Sequence, residues 1–425
     1  GDPHPTGRLS KRVRMRRADR RNIFSLMDLN IMNSRSIEAP FCLNSCMNIL
    51  AVEPFYFGSH KAFLKGIEEH SSHSLFTVKL DEKGLKWRMQ GKSVRLAHAA
   101  QDLEQEMDLL LISSMTNLPA FLALTSPRFA HTPKVMVMHE NQFTQPLPEG
   151  EERDTTLCYT NYLSMLAADV LLFTSQFHLE DMLDALPEFL ANLQDDPTFD
   201  AMETIRAKSR IMTPGLELKH FDMIPDTRGQ NKHPVVVWNQ RWQFDRNPAM
   251  FFRVMNRLFD IDCPFELILA GDTEHDKPAE FDQAVDRYGG MISHMGFVDD
   301  PQRYGELLHS GDVVVSTATY EFFCVSIMEA IYCGCHPMVP NRLHYPELIP
   351  QTLHKPLLHA PVMYETEDDL FRNLRDLLTG KTRPLPKNSL QSINQHLDWS
   401  SMSKQYDEMF LELAKTPSKS VFGSG

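Results

Sequence analysis

Short, almost wholly apolar runs set the first constraint on this chain. "MNILAVEPF", "DLLLISS", "KVMVMHENQ" and "ADVLLFTSQF" recur in the first half, and "VVVWNQRW", "FELILAGD" and "DVVVST" in the second. Each is strand-sized and lacks polar alternation, so both faces of the strand must be covered. Each also ends on a polar tip and runs into a helix-like stretch, as "YFGSHKAFLKGIEEH" follows the first and "NPAMFFRVMNRLF" follows "VVVWNQRW". Repetition of that unit predicts parallel sheets covered by helices. The Pro/Gly/Asp/Asn-rich "IPDTRGQNKHP" separates the two series. The expected class is α/β: two Rossmann-like domains face each other across a cleft, and a C-terminal helix crosses back. The expected boundaries are an arm at 1–46, an N-terminal domain at 47–224, a linker at 225–234, a C-terminal domain at 235–385, and a helix and tail at 386–425.

A length of 425 residues with 42% hydrophobic composition supports two substantial cores. No run approaches the roughly 18 apolar residues needed to span a bilayer, so no membrane partner is expected. Seven cysteines are too few and too irregularly placed for a disulfide scaffold, which favours reduced thiols in the cytoplasm or nucleus. Residues 1–21 hold eight Lys/Arg and two Asp, so the arm is basic while the whole chain carries −13. It reads as a disordered arm, a transit remnant or a phosphate-touching tail. The strongly acidic remainder argues against general nucleic-acid binding without excluding a local basic groove.

Four clusters fall at strand ends, where open α/β sheets hold their ligands. In "FGSH", Gly58, Ser59 and His60 lie between strand and helix, where first-turn amides can meet an anion or simply form a turn. In "HEN", His139 either contacts a polar substrate or caps a turn. His139 and Glu140 point to opposite faces of an extended chain and so form no automatic pair. In "NQRWQFDRNP", Arg241 and Arg246 can hold a diphosphate through their donor forks, or bridge to Asp245. Trp238 and Trp242 either pack or border a base pocket.

The fourth cluster is "TYEFFCVSIMEAIYCGCHPMVP". On one helix, Glu321 and Glu329 would lie roughly 80° and about 12 Å apart, too far for a carboxylate dyad. They suit two contacts along an elongated ligand if "YEFF" is a loop and the helix begins near Cys324 or Val325. Glu329 is otherwise an ordinary solvated carboxylate. Cys333 and Cys335, with His336, lack a clear closing ligand set for zinc and read as small-hydrophobe packing.

Taken together, "ILAVEPFYFGSHK", "MHENQF", "WNQRWQFDRNP", "GFVDD", "EFFCVSIMEA" and "YPELIP" resemble retaining GT-B glycosyltransferases of the GT4-like kind. More closely, they resemble the tRNA-queuosine mannosyltransferase family, over residues 48 to 410. The resemblance implies transfer of mannose from GDP-mannose to queuosine at the tRNA wobble position, with tRNA-Asp the expected carrier and no essential metal or cofactor. It places Gly58, Ser59 and His60 near the donor phosphate or acceptor and His139 near the transferred sugar. Arg241 and Arg246 fall on the diphosphate, Arg246 standing where such enzymes commonly have lysine. Glu321 falls on sugar hydroxyls, Glu329 on the ribose, and the backbone from Phe322 through Phe323 and Cys324 to Val325 on the donor. Cys324 stands where glycine often occurs. A transferase using another nucleotide sugar and a glycan, lipid or small-molecule acceptor keeps the same grip, and so does a noncatalytic nucleotide-sugar or RNA-binding protein.

Overall fold

The structure is a computed structural model that describes residues 46–80, 93–148, 150–193, 200–271, 277–354 and 358–415. The basic arm, apart from its last residue, and the extreme C-terminal tail lie outside these residues, as does Cys42.

Among the described residues the chain forms two six-stranded parallel sheets. The first runs β2-β1-β3-β4-β5-β6, from β1 (Asn48–Glu53), β2 (Ser74–Lys79), β3 (Leu109–Ser113), β4 (Lys134–Val137), β5 (Val170–Phe173) and β6 (Ser209–Ile211). The second runs β12-β11-β10-β7-β8-β9, from β7 (Val235–Trp238), β8 (Glu266–Ala270), β9 (Ile292–Gly296), β10 (Val313–Val315), β11 (His336–Pro340) and β12 (Met363–Tyr364). Strand order reverses between β1 and β3 in one sheet and between β7 and β10 in the other, so each sheet opens a crevice beyond those carboxyl ends.

The lack of polar alternation has its predicted cause. Ile49, Ala51, Leu109, Leu111, Val135 and Val137 face one core, while Leu50, Val52, Leu110, Ile112 and Met136 face another. Sequence parity alone sorts them, because successive side chains leave a strand on opposite faces. The first of these cores does not stop at the domain boundary. It continues through Leu216, Phe221 and Ile224 to Val235, Val237 and Val314 of the second sheet. No helix among the described residues is long and apolar enough to cross a membrane.

Two segments join the domains. The stretch predicted as a linker is strapped down: Arg228 pairs with Asp226 and donates to the Gly334 carbonyl, and Lys387 bonds Asp226 at 3.0 Å. The chain then leaves the second domain along the Lys387–Asn394 helix, whose Asn394 donates to the Met328 carbonyl. It returns to the first domain as the Trp399–Ala414 helix. Asp398 caps that helix at Ser400 and accepts from the amides of Leu218 and Lys219 at 3.2 and 3.1 Å. Further along, Asp407 accepts from Ser71 and Ser72 beyond the Gly58–His70 helix.

Trp399 is the anchor of that return, 2% exposed and packed against Phe63 and Tyr406. A Cβ on Gly66 or Gly215 would overlap its indole, so the two glycines form the slot that admits it. Trp399→Ala empties this slot and should cost about 3–5 kcal/mol. A clearly lowered midpoint in chemical denaturation is expected, and an unchanged midpoint would show that the helix is only laid on the surface.

Candidate active site

On the first domain the site begins where β1 ends. Glu53 is the one charged residue of an otherwise apolar strand tip and is 1% exposed. One carboxylate oxygen accepts from the Phe55 amide at 2.7 Å, and the other meets His60 Nδ1 at 3.0 Å. The Gly58–His70 helix starts at Gly58 with φ +53°, a left-handed value that favours glycine. Gly58 and Ser59 are exposed, while His60 turns inward.

The His60 ring stacks on His139 from the tip of β4, with centroids 4.0 Å apart and planes at 29°. Burial disfavours a charged His60, but the Glu53 carboxylate outweighs it and raises the pKa above the ordinary value. His139 is held well below the ordinary range by burial first, then by its coupling to the neighbouring imidazoles of His60 and His178. Glu53 thus favours the charged form of His60, and burial favours the neutral form of His139. Glu53, His60 and His139 offer ligand atoms within 4.8 Å of one another. Within that group His60 Nδ1 is already bonded to Glu53.

Beyond His139 the chain is clamped. Asn141 Nδ2 and Thr144 Oγ1 each donate to Asp181 at 2.6 Å, and Asn141 Oδ1 accepts from the Phe143 amide. Asn141 is also gripped from the second domain, where Tyr320 Oη donates to its carbonyl at 2.9 Å and accepts from its amide at 3.2 Å.

On the second domain Arg241 is exposed just past β7, and its guanidinium makes no hydrogen bond among the described residues. Arg246 differs. It is 5% exposed and bonded to Asp245 at 3.0 Å, to Glu321 Oε2 at 3.1 Å and to the Tyr320 carbonyl. Of the two readings open for Arg246, the structure supplies the acid partners, but buried ones. Burial works to raise the Glu321 pKa, yet Arg246, then His344 and Arg241, lower it, so Glu321 is an ionised carboxylate.

"YEFF" is a loop and the helix runs Val325–Cys333, with Cys324 as its N-cap. The donor-binding amides expected here are partly used by the protein itself. Those of Phe322 and Phe323 bond Glu321 Oε1 at 3.1 and 3.3 Å, and that of Cys324 bonds His344 Nε2 at 3.4 Å. Glu329 is well separated from Glu321. Tyr304 Oη donates to it at 3.0 Å and itself accepts from Asn239, while burial pushes the carboxyl up to about 7. Trp238 and Trp242 are core residues, Trp242 stacked on Phe281 at 4.1 Å. Cys333 and Cys335 are wholly buried packing residues.

Besides Tyr320, two contacts span the lip of the cleft. Phe322 stacks on His178 at 3.9 Å, its carbonyl accepting from Thr174 Oγ1 at 3.2 Å. Glu347 of "YPELIP" accepts from the Gln176 and Phe177 amides at 2.8 and 2.6 Å, capping the Gln176–Leu193 helix of the other domain. Sequence reasoning passed over Glu53, His178, Tyr304, His344 and Glu347. Only Glu53 carried a local signal, a charge at the end of a strand that must be buried.

Comparison with known proteins agrees with this arrangement. The family described as tRNA-queuosine alpha-mannosyltransferase N-terminal matches residues 48–216, and that described as glycosyl transferases group 1 matches 233–379. A Drosophila melanogaster tRNA-queuosine alpha-mannosyltransferase is 30% identical over 316 residues, covering 72% of this chain and 82% of the relative. The chain belongs to the tRNA-queuosine alpha-mannosyltransferase family. Among solved structures, a sucrose-phosphate synthase from Thermosynechococcus elongatus superposes with a TM-score of 0.62 at 15% identity, covering 86% of this chain and 99% of that one. Anabaena HepE with UDP and glucose gives 0.60 at 16%, covering 86% and 99%. These likenesses show the GT-B fold of this transferase.

The two arginines of this family member should separate by assay. Arg246→Ala strands the buried Glu321 carboxylate and should lose about 3–5 kcal/mol of stability. Arg241→Ala removes an exposed, unbonded side chain and should change stability by no more than about 0.5 kcal/mol. Paired denaturation curves check this, and equal losses would contradict the assignment of Arg246 to the buried pair.

Proposed function

We propose that the enzyme transfers mannose from GDP-mannose, with retention of the α configuration, to queuosine at the wobble position of tRNA-Asp. The observation that carries the reading is the uncommitted Arg241 guanidinium, standing at the cleft beside a carboxylate held ionised by Arg246. The acceptor and sugar follow from the name of the Drosophila relative; the GDP carrier follows from the sequence resemblance.

In this reading the acceptor hydroxyl attacks the anomeric carbon on the face from which the diphosphate leaves. The bond from that carbon to the phosphate oxygen breaks with its electron pair on the departing GDP, and a phosphate oxygen receives the hydroxyl proton. Arg241 and the open first-turn amides stabilise the charge growing on the phosphate. Glu321 is ill placed as a nucleophile. Arg246 and two amides already hold its oxygens, and their remaining lone pairs suit sugar hydroxyls. Neutral His139 can donate to or accept from the sugar. The residues assigned here perform the transfer without a resident metal.

Incubating purified protein with GDP-mannose and queuosine-containing tRNA, followed by mass analysis of the nucleosides, should show hexose added to queuosine. Arg241→Ala should lower kcat/KM about 100-fold or more, the scale of removing one charged transition-state contact. Crossing UDP-sugars and other acceptors into the same assay separates this enzyme from relatives with the same grip. Product from a different pair, or a fully active Arg241→Ala, would overturn the reading.

Glu329 supplies a further check. Its carboxyl, raised to about 7 in the free protein, is partly protonated at neutral pH. Ribose hydroxyls donating to it would favour the ionised form, so GDP binding should release protons near pH 7. Calorimetry in buffers of different ionisation enthalpy should show this release, and Glu329→Gln should abolish it.

A further inference from the structure

At "FGSH", left open between a plain turn and an anion contact, the structure forms the Glu53–His60 pair. Both side chains are almost fully enclosed, at 1% and 3% exposure, yet they bring a charge pair to the tip of β1 at the sheet's switch point. Glu53 is fixed on both oxygens, by the Phe55 amide and by His60 Nδ1. The far nitrogen of the same ring, His60 Nε2, is buried without a hydrogen-bond partner among the described residues. A buried polar atom left unbonded in this way costs free energy unless a ligand completes it.

The charged and titratable groups facing His60 define what that ligand is. From β1 comes Glu53, from the β4 tip come His139 and Glu140, and from the other domain comes Arg241. Glu140 is engaged by Gln142 Nε2 at 3.2 Å. Arg241 opposes a positive His60 across the cleft, and no protein anion bonds either one on that side. Two cationic donors from two domains, each with unused N–H groups, are complementary to an anion placed between them.

We propose that Glu53 is a positioning residue that holds His60 as an imidazolium, so that His60 Nε2 donates to the nucleotide's diphosphate from the first domain while Arg241 grips it from the second. This rests on the glycosyl-transfer reading above and adds a residue to it. Glu53 acts at one remove: it touches no substrate, but its anion decides whether the ring opposite the diphosphate carries a proton. The stacked neutral His139 benefits as well, because a cation beside it keeps it from protonating.

The test is GDP affinity measured by calorimetry from pH 7 up to where the guanine base begins to ionise, with guanosine, which shares base and ribose, as the phosphate-free probe. Since Glu53 raises the His60 pKa, the proton is present at the lower end and lost as pH rises through it. Guanosine shares the ribose contact to Glu329, so the pH dependence that belongs to His60 is read from the ratio of GDP to guanosine affinity, which in the wild type should fall with rising pH. Glu53→Gln keeps the bond to Phe55 but removes the anion, so it should bind GDP about tenfold more weakly at pH 7 and lose the pH dependence of that ratio. Guanosine affinity should be unchanged in the variant. His60→Gln, neutral at every pH, covers the case in which Glu53→Gln fails to fold, and should give the same flat profile. If both variants keep the wild-type pH dependence while Arg241→Ala loses GDP binding, the dyad is structural and the inference fails with the transfer reading intact. If Arg241→Ala also binds GDP normally, the transfer reading itself fails. Loss of guanosine binding in step with GDP would show general distortion and would also overturn the dyad's role.

Discussion

A strand covered on both faces can carry polar chemistry only where it ends. Every central strand of this protein obeys that constraint, and it dictates where the site lies. Glu53 closes β1, His139 follows β4, Arg241 follows β7, and the Glu321 loop follows β10. Parallel strands point all these tips the same way within each sheet, and the two sheets set their tips against each other. The crevices fall at the reversals of strand order, where neighbouring connections leave on opposite faces.

The same burial makes charge balance unavoidable at these tips. Desolvating one ion costs several kcal/mol, so each buried charge must bring its counterion or give up its charge. The site uses both solutions. Arg246 and Glu321 stay ionised together, and the Glu53 carboxylate favours the charged form of His60. His139, His178 and His344 are held neutral, burial being the first cause in each case. Glu329 lies between these limits, because a tyrosine hydroxyl is a weaker partner than an arginine. Arg241 alone among the predicted charged residues escapes the problem by remaining exposed, which is why it is the free cation of the site.

This division explains what was legible in the sequence. The sheets were legible because an unalternating apolar run has few other uses, and helix geometry excluded a Glu321–Glu329 dyad, while the loop at "YEFF" entered only as a condition of the two-contact reading. The Arg246 pairing was half legible: an acid partner was foreseeable at Asp245, but the Glu321 contact joins residues 75 positions apart. Glu347 was unreadable for the same reason, since the helix it caps begins 171 positions earlier. The tryptophans were ambiguous because a strand-end indole packs or lines a pocket according to neighbours that only the fold supplies. Trp238 and Trp242 met Phe281, and so they pack.

The two sides of the interdomain junction differ in kind, and that difference bears on how the site can work. At the crossover the domains share one apolar core, with Trp399 locked in a slot between glycines and the Trp399–Ala414 helix buried along Tyr406, Met409 and Phe410. Opening it would expose large apolar surface, at about 25 cal/mol for each Å². At the lip the contacts are Tyr320 on Asn141, Phe322 on Thr174 and His178, and Glu347 on a helix end. Each neutral hydrogen bond among these is worth only about 0.5–1.5 kcal/mol net, and each to the Glu347 carboxylate about 1.5–3, because water replaces it when it breaks. Any rearrangement that admits an elongated substrate therefore separates the lip and leaves the shared core intact. Arg241 and His60 stand on opposite walls near that lip, so an anion bound between them adds its own bonds to those that hold the domains together.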